Sequence, residues 1–197
     1  MKRWMGTILL AAAVATCMPR LSHADPTATE KDVIGNMMDA GTKVMELADA
    51  FPDKKLDYRP GKGVRSTREV VLHVIGGNYL LPTMLGANTG KSAEDAMKLE
   101  KTTPSKAELA KMLKESYDVA SSAIGGVAES DLDTQVDFFG TKMSKRSLML
   151  VIASHSHEHL GQLIAYARVN GITPPWTARD QAAAKKAASE KKTAGGM

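Results

Sequence analysis

Apolar residues recur at helical spacing in four separated stretches of this chain. In the first, Val33, Ile34, Met37, Met38, Gly41, Met45 and Ala48 share a face. Thr27 or Thr29 is placed to cap its start, and Phe51-Pro52-Asp53 ends it near Ala50, since proline cannot continue a helix. The second opens on Ser66-Thr67-Arg68-Glu69, a capping box in which Ser66 and Glu69 satisfy each other's free backbone donors. It runs through Val70, Val71, His73 and Val74 to Leu80, Leu81 and Met84, with Gly76-Gly77 weakening it and a kink expected near Pro82. A second capping box, Ser105 with Glu108 behind Pro104, starts the third, whose face is Leu109, Met112, Leu113, Tyr117, Ala120 and Ile124. Ser144 can cap the fourth, Lys145 to Asn170, which carries Leu148, Val151, Ile152, Leu163, Ile164 and Ala167 and stops at Gly171 before Pro174-Pro175.

The segments between these faces read as connections. Residues 54–64 form a polar loop with Arg59-Pro60-Gly61 and Gly63, and residues 86–100 a loop with a short helical turn. Residues 131–143, around Phe138-Phe139-Gly140, read as a loop or small hairpin. Beyond Thr177 alanine and lysine dominate, and residues 178–197 are expected to be a mostly disordered tail. The pattern predicts an all-α protein: a four-helix bundle over residues 25–177, with a long connection between the second and third helices.

The first 24 residues stand apart. Lys2-Arg3 precede an apolar run from Trp4 to Met18, too short for a comfortable membrane span, and Ser22-His23-Ala24 has the small-x-small form of a cleavage site. This predicts a secretory signal peptide cut after Ala24, hence a periplasmic or secreted protein with no transmembrane segment after cleavage. Val14-Ala15-Thr16-Cys17 is a loose lipoprotein box, so lipid anchoring at Cys17 is the alternative. Cleavage at Ala24 removes the only cysteine, and with it any disulfide or catalytic thiol. It also removes Lys2, Arg3 and Arg20 and no acid, which brings the formal charge from +4 to +1. No basic stripe remains of the kind nucleic-acid binding requires.

Four histidines survive that cleavage: His73, His155, His157 and His159. His155 and His159, one turn apart, lie about 40° apart around the helix and roughly 6 Å along it. On the inward stripe, such a pair either bites one divalent metal ion or forms hydrogen-bonded core histidines. His157, about 200° from His155, faces the other way and reads as a surface residue. A helix pair of ligands needs a third from elsewhere, and the inward face carrying His73 is where to look for it. Gln162 and Tyr166, each one further turn along, either reach the pocket to support a ligand or touch a substrate, or simply fill bundle space. The methionines at helical spacing read as core filler. Glu158 adjoins His159 but not in the HExxH order, so protease chemistry is not implied.

Taken together, Leu56-Asp57-Tyr58-Arg59-Pro60, Ser66 and His73, then His155-x-x-x-His159-Leu160-Gly161-Gln162, Arg168 and Gly171-Ile172-Thr173-Pro174-Pro175, resemble the DinB-like (DinB/YfiT-like) metal-binding four-helix proteins over roughly residues 29–177. The resemblance implies that His73, His155 and His159 bind a divalent metal, zinc first, with nickel, manganese or iron as alternatives. Many members have arginine where this chain has Leu160, a departure that spares the ligands. Relatives of this fold include thiol-dependent S-transferases and a maleylpyruvate isomerase, and fold alone does not carry the reaction across. The expected function is a metal-dependent transferase or hydrolase whose three-histidine site activates a thiol or water, with catalytic residues beyond the ligands unassigned. The alternative is a non-catalytic exported metal- or ligand-binding helical module. The implied partner is a small-molecule substrate of unidentified class, not nucleic acid, and a homodimer stays open as the assembly.

Overall fold

The computed structural model of the chain describes residues 28–194; the expected signal peptide, its expected cleavage site and Cys17 lie outside them. The four helical faces form α1 (Ala28–Ala50), α2 (Thr67–Thr83), α4 (Lys106–Gly125) and α5 (Lys145–Val169). A short α3 (Ala93–Lys98) runs into a 3-10 turn, Leu99–Lys101, within the long connection between α2 and α4. α1 packs on α4 and α5, and α2 also packs on α4 and α5, so α1 faces α2 across the bundle diagonal. α4 and α5 are likewise opposed, and α2 and α5, far apart in sequence, are neighbours.

Both capping boxes form. Ser66 Oγ accepts from the Glu69 amide at 3.2 Å while Glu69 Oε2 accepts from the Ser66 amide at 2.9 Å. Ser105 and Glu108 repeat the exchange at 3.3 and 2.8 Å. Ser144 Oγ accepts from the Ser147 amide at 3.1 Å at the head of α5. Pro82 falls in the last turn of α2, which ends one residue later. Met37, Leu47, Phe51, Leu56, Ile75, Leu113, Tyr117, Leu148, Ile152 and Leu163 fill the interior with essentially no exposure. Each contributes about 1.5–3 kcal/mol of burial free energy, so the fold stands on this apolar core.

Close approach replaces side chains at two glycines. A Cβ on Gly76 would meet the Ala96 carbonyl oxygen at 2.7 Å, so Gly76 lets α3 and the following turn lie directly on α2. A Cβ on Gly41 would meet the Tyr117 ring at 2.7 Å. The segment around Phe138-Phe139-Gly140 is a hairpin, β1 (Gln135–Phe138) pairing antiparallel with β2 (Thr141–Ser144), Phe138 opposite Thr141. Phe139 and Gly140, at φ 51° and 87°, make the two-residue turn, which suits the twist of the flanking strands.

The tail departs from expectation. Instead of disorder after residue 177, α6 runs Pro175–Ala194, so the bundle's chain continues as helix past its expected boundary. Proline at the first helical position is preorganised for the turn, and alanine and lysine are among the strongest helix formers. Trp176 packs against the core and Arg179 pairs with Glu46 of α1 at 3.0 Å, which anchors the first turns. Weighing only the lack of apolar residues missed this intrinsic propensity. No described helix is long and apolar enough to cross a membrane.

Candidate metal centre

Because α2 and α5 are neighbours, the inward histidines of both reach one point. Ring centroids of His73, His155 and His159 are 5.1, 4.7 and 4.5 Å apart pairwise. One ring nitrogen from each lies within 4.8 Å of the other two, and Nε2 of His155 is 3.2 Å from Nε2 of His73. His157 is exposed on the opposite side, donating to the Asn36 carbonyl at 3.1 Å, as its position on the helix requires.

The outer nitrogens of two rings have acceptors. His73 Nδ1 donates to Glu100 Oε1 at 2.5 Å, and Glu100 also accepts from Arg65 Nε at 2.7 Å. His159 Nδ1 donates to Gln162 Oε1 at 3.0 Å; Gln162 Nε2 donates to the Tyr166 hydroxyl at 2.9 Å, which donates to the Arg65 carbonyl at 3.0 Å. Gln162 and Tyr166 therefore hold the His159 ring through a chain of hydrogen bonds. These acceptors take up Nδ1 of His73 and His159 and turn the Nε2 side of both rings inward.

Burial disfavours a charge on His155 and His159. Burial, and then the neighbouring His159 and His73, pushes His155 down to about 3, and burial also lowers His159. Burial opposes ionisation of Glu100, but hydrogen bonds from Arg65 and His73 outweigh it and hold its carboxyl below the usual range. Nε2 of His155 and Nε2 of His73 lie within hydrogen-bond reach of each other, a spacing that also suits two ligands of one ion. A tetrahedral ion at about 2.0–2.1 Å from each nitrogen would set the nitrogens about 3.3 Å apart, close to the 3.2 Å between His73 and His155. The donor set suits zinc, nickel or iron.

Gly77 is part of the site. A Cβ there would stand 2.4 Å from His155 Cε1 and 2.9 Å from its Nδ1, an atom already buried without a hydrogen-bond partner. The sequence pattern marked Gly76-Gly77 only as a weak point in a helix, yet Gly77 is four residues after His73 and so on its face. Glu100 and Arg65 carried no periodic signal, since both lie outside the long helices.

A cleft of about 510 Å³ opens beside the histidines, lined by His73, His155, Gly77, Val151 and Glu158 among others. A larger depression of about 710 Å³, between the loop after α2 and the end of α4, lies away from all three histidines.

The sequence model of the DinB family matches residues 29–192. YjoA of Bacillus subtilis is 27% identical over 131 residues, which are 65% of this chain and 82% of that protein. Among solved structures, a DinB-like protein from Bacillus cereus superposes with a TM-score of 0.64 at 18% identity, covering 74% of this chain and 95% of its own. YfiT from Bacillus subtilis, a probable metal-dependent hydrolase with an unusual four-helix bundle topology, superposes with a TM-score of 0.60 at 15% identity, over 79% of this chain and 94% of its own.

Proposed function

The chain belongs to the DinB family, and on that premise we propose that it is a divalent-metal-dependent hydrolase or transferase with His73, His155 and His159 as the ligands. The observation that carries this reading is the convergence of three imidazoles, two of them held by outward hydrogen bonds, beside a cleft that His73 and His155 line. The described residues bring no fourth histidine, cysteine or acid into the cluster, and the cleft reaches two of its rings, His73 and His155. That supports an enzyme over a closed structural site.

A divalent ion held by His73, His155 and His159 would supply Lewis-acid polarisation and would acidify a water toward a pKa of about 7. The chain's own residues divide the remaining work. Glu100 and Gln162 hold the two Nδ1 protons and aim the rings, and Arg65 steadies both arms. Export under residues 1–24 belongs to the same proposal. It favours water as nucleophile over a low-molecular-weight thiol, because the periplasm is oxidising.

Elemental analysis of the purified chain tests the reading. We expect about one divalent ion per chain, loss of most of it in His155→Ala and in His159→Ala, and no change in His157→Ala. Equal loss from all three variants would sink the assignment.

A further inference from the structure

The cleft above the histidines is unlike the rest of the surface. Among the described residues, five large apolar side chains are exposed, and three of them, Met97 at 58%, Phe139 at 66% and Leu150 at 55%, line this one cleft. They come from three separate elements: α3, the hairpin turn and α5. Exposing an apolar side chain on each of three elements around a single opening costs solvation free energy that scattered exposure would not explain. Phe139 is also the only described non-glycine residue with positive φ, so a bulky ring occupies a turn position that favours glycine or asparagine.

The charges in the cleft have one sign. No lysine or arginine lines it, and two carboxylates do, Glu100 and Glu158. Glu100 is matched by Arg65 and His73, whereas Glu158 has no cationic partner among the described residues. Leu150, Ser154 and Glu158 are spaced four apart on α5, so they form one rim with the carboxylate at its end, while Val151 and His155 form the floor beside it.

We propose that this cleft binds the non-reacting part of the substrate, and that the substrate is a compact hydrophobic molecule carrying no negative charge away from its reacting group. The inference rests on the metal-centre reading for where the reaction happens, but its evidence is separate: an apolar rim and an unpaired acid. It argues against anionic thiol cofactors, whose carboxylates would approach Glu158 within an apolar wall. Phe139, Met97 and Leu150 cover the body of the ligand, and Glu158 sets its charge preference.

The test uses three probes with one apolar body: 4-phenylbutylamine, 4-phenylbutanol and 4-phenylbutyrate. Binding to the purified chain is followed by protein NMR after chelator treatment, because a carboxylate could otherwise ligate the ion directly. The amine and the alcohol are expected to bind, with the butyrate weaker than the amine by at least about fivefold, the scale of two opposite charges near one carboxylate at high dielectric. Glu158→Gln should bring amine and butyrate to within about twofold. Phe139→Asn, which keeps a residue tolerant of positive φ, and Leu150→Gln should each weaken all three probes while leaving zinc content unchanged. Butyrate binding as well as the amine, probe binding indifferent to Phe139→Asn and Leu150→Gln, or no binding of any probe would each overturn the proposal. Zinc content measured on the same proteins before chelator treatment separates the two readings: a chain that takes up no zinc but discriminates the probes refutes the metal centre and keeps the cleft.

Discussion

Replacing Gly77 by alanine tests the centre without touching a ligand. The added methyl would stand 2.4 Å from Cε1 of His155, where carbons rest at about 3.5–4.0 Å. The ring must therefore retreat by roughly 1 Å, several times the ±0.2 Å or so that a metal–ligand distance tolerates. Displacing one of three ligands should weaken zinc by at least about 100-fold, beyond the 10- to 100-fold typical of losing a supporting hydrogen bond. Folding should change far less. Alanine gains about 1 kcal/mol over glycine within a helix, and the crowding costs about 1–3 kcal/mol, so the metal-free variant should lie within about 2 kcal/mol of the parent.

Thermal unfolding with and without zinc reads both quantities. At free zinc 100 times its Kd, the ion stabilises the parent by about 2.7 kcal/mol, and a 100-fold weaker site by about 0.4 kcal/mol. For a chain of this size that is a zinc-dependent Tm rise of about 5–10 °C falling to under about 2 °C. Gly35→Ala is the control, since nothing lies within 4 Å of a Cβ at that exposed helical position. It should keep the full zinc shift and raise the metal-free Tm. A Gly77→Ala protein that binds zinc like the parent would refute the packing of His155 described above.

The metal-free protein should lose stability on acidification. His155 takes a proton in the unfolded chain at about 6.5 but in the fold only near about 3. Between those values the unfolded state binds more protons, so stability falls as pH falls, by about 2 kcal/mol from this group between pH 7 and 5. Urea unfolding of the parent and of His155→Gln should show the dependence shrinking in the variant, and an unchanged slope would contradict it. Glu100→Gln keeps an acceptor for His73 but removes its charge, and should weaken zinc about 10-fold or more in chelator competition; parent-like affinity would deny Glu100 its part. At the alkaline end, burial pushes the Tyr117 hydroxyl up to about 12, so it stays protonated where the unfolded chain ionises. Stability should drop by about 2 kcal/mol between pH 10 and 12, and Tyr117→Phe should flatten that limb in the same urea titration.

What could be read from the chain alone was whatever repeats or caps. The four apolar faces, both Ser–Glu boxes and the glycine after α5 are local patterns, and each reappears in the fold. His155 and His159 were placed together by spacing, and His73 was reached as the remaining inward histidine. Glu100 was not legible, because it meets His73 only through the close contact of α3 with Gly76, a tertiary event with no periodic trace. Arg65 was overlooked for a related reason: it precedes a cap whose backbone role was evident, while its side chain acts across the bundle. The helix α6 was misjudged because a solvated Ala/Lys segment carries no packing face, and only propensity and two anchors favour it.

Arg65 shows why the centre can exist before any ion arrives. Its guanidinium holds Glu100 against His73, and its carbonyl takes the hydroxyl of Tyr166 at the far end of the bonds from His159. Both arms therefore meet at the residue immediately before Ser66, whose own position is set by the capping box of α2. The geometry of the imidazoles is thus built from a helix start, a carboxylate and a tyrosine. The apolar core lies among residues such as Phe51, Leu113 and Leu148, and none of these is a metal ligand. A small zinc domain that lacks such a core depends on the ion to fold; here the residues that hold the fold differ from those proposed to hold the ion. On the proposed reading the ion is therefore not needed to hold the chain together, as a catalytic rather than a structural centre requires.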